Sequence, residues 1–205
     1  MIMMLLLQNA EHESRLRRSA QSKVPSDPNI WFQMRENYEK IILADHDFSE
    51  KREIEYLLWQ LHYKRIEEFR AHIVSAGKNN ANPDRIKRIR SSVRSFLSEA
   101  TGFYHDLMLK IRSTYGLPLG YFSEGPDSSV VPDKDGKKVV GVKKGLLSCY
   151  RCLIYLGDLT RYKGLYGDVD YASREYAAAS IYYKEAASLC PSNGNPHHQV
   201  CSMSL

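Results

Sequence analysis

The stretch PDRIKRIRSSVRSFLSEATGFYHDLMLKIRSTY, running from Pro83 to Tyr115, decides the fold class. Its apolar residues fall at Ile86, Ile89, Val93, Phe96, Leu97, Ala100, Phe103, Leu107 and Ile111. Steps of three and four along the whole run trace one stripe of an α-helix, whereas a strand face needs steps of two. Asn82-Pro83-Asp84 reads as the start, because a polar side chain can cap the free N–H groups and proline fits a first turn that needs no donor. Gly116 reads as the stop, since glycine accepts the left-handed turn that ends many helices. At ~1.5 Å per residue such a helix is roughly 50 Å long. That length predicts an extended antiparallel bundle and not a compact globule.

The same signals recur on either side. Ile54, Leu57, Leu58, Leu61, Ile66, Phe69 and Ile73 define a second long helix, and shorter ones are expected from Ile2 to about Ser22, Trp31 to Asp45, about Val139 to Lys163, and Tyr171 to Leu189. Asp27-Pro28 marks a start and Ser49-Glu50 a weaker one; Gly77 and Gly164 mark stops. No segment alternates as a strand would. Gly116, Pro118, Gly120, Gly125, Pro126, Pro132 and Gly136 make 116–138 a loop between a four-helix N-terminal half and a two-helix C-terminal piece. In that piece Ala179, Tyr183, Ala186 and Pro191 have the spacing of the second helix of a tetratricopeptide repeat, with Leu156-Gly157 standing for the first.

Composition bounds the function. The 205 residues carry 29 Lys plus Arg against 24 Asp plus Glu, a net charge of +5, and are 43% hydrophobic, which suits one domain or two small ones. The longest apolar run, Met1 to Leu7, is too short to span a bilayer, so no membrane association is expected. Four cysteines are too few and too clustered for a disulfide framework, which predicts a cytosolic or nuclear protein. No nucleotide-binding loop, zinc-protease helix or nucleophile elbow is present, and the carboxylates are scattered over helical surfaces, which predicts no catalysis and no cofactor. Asp133-Lys134-Asp135-Gly136 lacks the rest of a calcium loop and reads as a polar turn. Cys149 and Cys152, with Cys190, His197, His198 and Cys201, have the residue types of a zinc site. Flanked by Leu146, Leu147, Leu153 and Ile154, however, the two thiols read as small hydrophobes, and no metal is expected.

Two cations stand out. Arg161 follows Leu147, Tyr150 and Ile154 by fourteen, eleven and seven residues, which aims it from the apolar face of its helix. Lys64 follows Leu57 by seven and Leu61 by three, at the edge of its stripe. A charge turned inward is costly unless an anion meets it. For Arg161 that anion can be Asp158, three residues back; for Lys64 a snorkelling stem explains the position equally well.

Three blocks carry a resemblance: Leu58-Trp59-Gln60-Leu61-His62-Tyr63-Lys64, Phe96-Leu97-Ser98-Glu99-Ala100-Thr101-Gly102-Phe103-Tyr104, and Cys152-Leu153-Ile154-Tyr155-Leu156-Gly157-Asp158-Leu159-Thr160-Arg161-Tyr162. Together with the Pro191 to Pro196 turn, they resemble the N-terminal domain of the SMG/EST family from about Trp31 to Gln199, nearest its plant SMG-seven branch. These are nonsense-mediated mRNA decay adaptors and telomerase-activating Est-like proteins. The resemblance implies an all-α, 14-3-3-like antiparallel helical bundle over 1–163 with the loop 116–138. It also implies a partial tetratricopeptide-type hairpin over 146–199 and a divergent tail over 200–205. It further implies a groove for phosphoserine or phosphothreonine on the up-frameshift RNA helicase, with Lys64, Arg161 and Tyr162 at the phosphate. A second implied partner is another SMG-type adaptor. Telomerase RNA or single-stranded telomeric DNA is the alternative ligand, for which Lys87, Arg88, Arg90 and Arg94 are the candidate contacts, although a solvated face accounts for them better. The implied location is the cytoplasm, including RNA-decay granules, and also the nucleus. Family members continue beyond the His-His-Gln region where this sequence departs, so a truncated product, functional or not, is expected.

Overall fold

A computed structural model describes residues 1–22, 28–78, 83–117, 136–166, 169–191, 194 and 196. Every regular element among them is a helix: α1 (Ile2–Ser22), α2 (Pro28–Ala44), α3 (His46–Lys51), α4 (Ile54–Lys78), α5 (Pro83–Tyr115), α6 (Gly136–Tyr166) and α7 (Val169–Leu189). The protein is all-α, as the periodicity predicts. None of the described helices is long and apolar enough to cross a membrane.

Helix α5 has the bounds its stripe predicts, and Val93, Leu97, Ala100, Leu107 and Ile111 are buried along it. Its end shows why Gly116 is there. The residue takes φ 63°, its N–H reaches the Ser113 carbonyl, and the Leu117 N–H returns 2.9 Å to the Arg112 carbonyl. These two bonds satisfy carbonyls the helix would otherwise leave open, and Leu117 is buried beneath them.

Four expectations need correction. Helix α3 is too short to show a period, and its cap is Asp45, whose carboxylate accepts from the Phe48 N–H at 3.0 Å; Ser49-Glu50 lies inside it and starts nothing. The chain leaves α3 through Glu53 at φ 52°, a left-handed position costly for a residue with a Cβ, and α4 begins at the next residue. Gly77 lies one residue before the end of α4 at Lys78, but Gly164 stops nothing, because α6 runs on to Tyr166; at Gly164, which is buried, tertiary packing outweighs the glycine's preference to leave the helix. Residues 136–138 belong to α6, and among the described residues five helices, not four, precede the breaker-rich stretch, whose residues 118–135 lie outside the described ones.

The chain divides into two compact units, Met1–Arg65 and Ile66–Leu205. In the first, α1 and α2 run antiparallel and are joined by a buried polar pair. The Asn37 amide donates to Asn9 Oδ1 at 2.9 Å, and Asn9 Nδ2 donates to the Met34 carbonyl at 3.1 Å, so both buried amides are matched. Ile41, Ile42, Ile54 and Leu58 belong to the core of the same unit, each at most 2% exposed. In the second unit α5, α6 and α7 pack as consecutive antiparallel helices. Tyr104 of α5 meets Tyr155 of α6, and Ala179, Tyr183 and Ala186 turn one fully buried face of α7 onto α6. Gly157 permits that approach, because a Cβ there would sit 2.5 Å from the Tyr183 ring.

Candidate anion-binding site

Arg161 lies on the face of α6 that also buries Tyr150 and Ile154, and its side chain is only 27% exposed. Three groups surround its guanidinium. Asp158, one turn earlier, brings Oδ1 to 3.6 Å from Nη2. Tyr162 places its ring under the charge, with the guanidinium carbon 4.8 Å from the centroid, and is itself stacked on Tyr166. Tyr183 reaches across from α7 and donates its hydroxyl proton to the same Asp158 Oδ1 at 2.7 Å. Arg161 Nε is shielded from solvent and has no acceptor among the described residues.

The electrostatics follow from burial. Asp158 is pushed up from the ordinary carboxylate range by desolvation, against the downward pull of the Tyr183 hydroxyl and Arg161. Arg161 is opposed by burial too, but Tyr183, Asp158 and Tyr162 outweigh that and its pKa sits above the ordinary value, so it stays charged. Burial first, and then the neighbouring Asp158 carboxylate, push the Tyr183 phenol far up, so it remains a proton donor. The arrangement is a permanently charged fork with one long ion pair and donor capacity left over, which is what planar recognition of an oxyanion requires.

Lys64 sits in the other compact unit and does not face inward as its stripe position suggested. Its side chain is 61% exposed, and Nζ donates to Glu13 Oε1 of α1 at 2.9 Å. Arg17 also donates to that carboxylate, at 3.1 Å. The hydrogen bond from Lys64 does most to hold the Glu13 pKa below the ordinary range, with burial opposing and Arg17 assisting. The structure thus brings Arg161 and Tyr162 together with Asp158 and Tyr183, and supplies Lys64 with a carboxylate partner within its own unit.

Other expectations are placed as follows. Lys87, Arg88, Arg90 and Arg94 are all exposed on α5. Cys149 and Cys152 are buried thiols of α6 that form no disulfide; His197, His198 and Cys201 lie outside the described residues. Sequence reasoning missed Glu13 altogether and knew Tyr183 only as a packing position. It also missed His105 of α5, whose Nε2 lies 2.9 Å from the Tyr182 hydroxyl. The one available hint for Tyr183 was a phenol set among alanines in a helix facing Gly157 and Asp158.

Fold and site define an all-α protein presenting a half-buried, incompletely paired guanidinium. A family model, telomerase activating protein Est1, matches residues 53–167, a span that contains Lys64, Arg161 and Tyr162. The chain is similar to the nonsense-mediated mRNA decay factor SMG7 of Arabidopsis thaliana, 57% identical over 187 residues that cover 86% of this chain and 18% of the relative. It is 28% identical to the decay factor SMG5 of Homo sapiens, over 86% of this chain and 17% of that one. It is also 28% identical to the telomerase-binding protein EST1A of Danio rerio, over 82% and 10%. The chain belongs to the SMG/EST family. It spans less than a fifth of the length of these relatives.

Proposed function

We propose that this chain is a non-catalytic phosphoserine- or phosphothreonine-binding module of nonsense-mediated mRNA decay that recognises the phosphorylated up-frameshift RNA helicase. The observation that carries this reading is Arg161, a half-buried guanidinium whose carboxylate partner stands 3.6 Å away and whose Nε has no acceptor among the described residues. A phosphate monoester brings about −1.5 to −2 charge and three acceptor oxygens, enough to engage the exposed edge of the guanidinium and to compete with Asp158. In the other compact unit Lys64 is a candidate cation by itself, since exposed pairs such as Lys64–Glu13 are worth about 0.2–1 kcal/mol and yield readily to a dianion. The names of the decay-factor relatives support the pathway. A 14-3-3-like groove, a tetratricopeptide-type hairpin, cytoplasmic decay granules as the location and a second SMG-type adaptor as a partner belong to the same reading.

A second reading has its own support: one relative is named for binding telomerase, and α5 exposes Lys87, Arg88, Arg90 and Arg94. On this reading the ligand is telomerase RNA or single-stranded DNA. One titration series separates the two. Fluorescence polarisation with a phosphorylated helicase peptide should show binding that Lys64→Glu and Arg161→Glu each weaken at least tenfold, and little binding of the unphosphorylated peptide. Equal binding of both peptides refutes the phosphate reading. Steeply salt-dependent binding of a single-stranded oligonucleotide, indifferent to Arg161→Glu, marks the second.

A further inference from the structure

The Tyr183 hydroxyl stands between Asp158 and Arg161: it donates to the carboxylate oxygen nearest Arg161 and is itself a hydrogen-bond partner of the guanidinium. Asp158 Oδ1 receives the short bond, 2.7 Å from the phenol, while Arg161 Nη2 stands back at 3.6 Å, beyond the range of a good N–H···O bond. Asp158 and Arg161 are three residues apart on one helix, a spacing that ordinarily lets such a pair close. The phenol comes from α7 and is fixed there: Tyr183 is 0% exposed, and Gly157 lacks the Cβ that would displace its ring.

We propose that Tyr183 is a positioning residue that holds Arg161 for its ligand: its hydroxyl donates to Asp158 and accepts from the guanidinium, so that the internal ion pair stays long and does not consume the charge. The inference rests on the phosphate reading for its ligand but not for its geometry. Asp158 in turn anchors the fork, since without it a half-buried guanidinium would have no charge partner among the described residues within its own turn. The C-terminal hairpin therefore contributes to the site through a hydroxyl that touches no ligand. Removal of that hydroxyl leaves the ring in place and frees Asp158 Oδ1 to close on Arg161.

The test is a double-mutant cycle with two readouts on the full 205-residue chain. Tyr183→Phe should weaken binding of the phosphorylated peptide about three- to ten-fold, the worth of one hydrogen bond. The double variant Tyr183→Phe with Asp158→Asn should recover to within about twofold of Asp158→Asn alone, because a neutral amide holds a guanidinium far more weakly than a carboxylate does. A purely structural role for Tyr183 gives additive losses and overturns the proposal. The second readout is rotation of the Arg161 guanidinium, followed by NMR exchange of its Nη protons with no peptide present. It should slow in Tyr183→Phe and be restored in the double variant. Wild type that ignores the phosphate while Tyr183→Phe slows the guanidinium refutes the phosphate reading and upholds the positioning role. Phosphate-selective wild type with a Tyr183→Phe variant unchanged in both readouts overturns the positioning role alone.

Discussion

The two cations singled out by sequence are paired in different ways, and the difference governs how each answers a ligand. Arg161 meets Asp158 where neither side chain is more than 27% exposed, so its charge is partly desolvated and the identity of its partner matters. Lys64 meets Glu13 in solvent, where screening makes the pair weak. Glu13 therefore acts as a resident competitor for any anion that Lys64 binds. Glu13→Gln should strengthen phosphopeptide binding by roughly two- to five-fold, the range set by an exposed pair. Unchanged or weaker binding in fluorescence polarisation would show that Lys64 does not contact the ligand. At this scale the sequence was legible where partners are close along the chain, as with Asp158 and Arg161 one turn apart. Glu13 and Lys64 are 51 residues apart, and helical periodicity identifies a face without naming what the face meets.

Among the elements, helical glycines separate by what lies opposite them. Gly102 sits on the exposed side of α5, where an added methyl would find nothing within 4 Å, whereas at Gly157 it would meet the Tyr183 ring at 2.5 Å. Gly102→Ala should raise stability by about 0.5–1 kcal/mol, because alanine loses less backbone freedom in a helix. Gly157→Ala should lower it by about 1–3 kcal/mol through overpacking, and should weaken phosphopeptide binding as it displaces Tyr183. Urea unfolding midpoints check both, and a neutral Gly157→Ala would refute the close approach of α6 and α7. Helix α5 was readable to its last residue because stripe, proline and glycine all agree. Helix α3 was not, since six residues hold less than two turns and its cap, Asp45, resembles any loop aspartate.

For the molecule as a whole, a fully buried group that ties stability to pH is His62 in the first compact unit. It is fully buried, edge-on to Trp31, with Nδ1 2.9 Å from the Leu58 carbonyl oxygen. Burial, aided by the charge of Arg35 and only partly offset by the Leu58 carbonyl, holds its pKa down at about 3. The unfolded chain binds this proton near pH 6.5 and the folded chain does not, so the stability it confers is complete above that pH and is lost as pH falls toward 3. Each pH unit in that window should cost about 1.4 kcal/mol. Thermal melts between about pH 7.5 and 4.5 should show the decline, and His62→Leu should flatten it; an unchanged slope would refute the assignment.

The sequence by itself determined the helical class, the bounds of the longest helix, the inward setting of Arg161 with its neighbour Asp158, and the family. All of these rest on local information: repeat period, capping chemistry, and residues within a turn or two of each other. Only the tertiary structure decided that Lys64 faces solvent with Glu13 beside it, that Asn9 and Asn37 join α1 to α2, and that Tyr183 donates to Asp158. Tyr183 and Asp158 are 25 residues apart and meet because Gly157 lets two helices close. A contact of that kind depends on the separation and rotation of whole helices, which packing sets and a one-dimensional pattern does not encode.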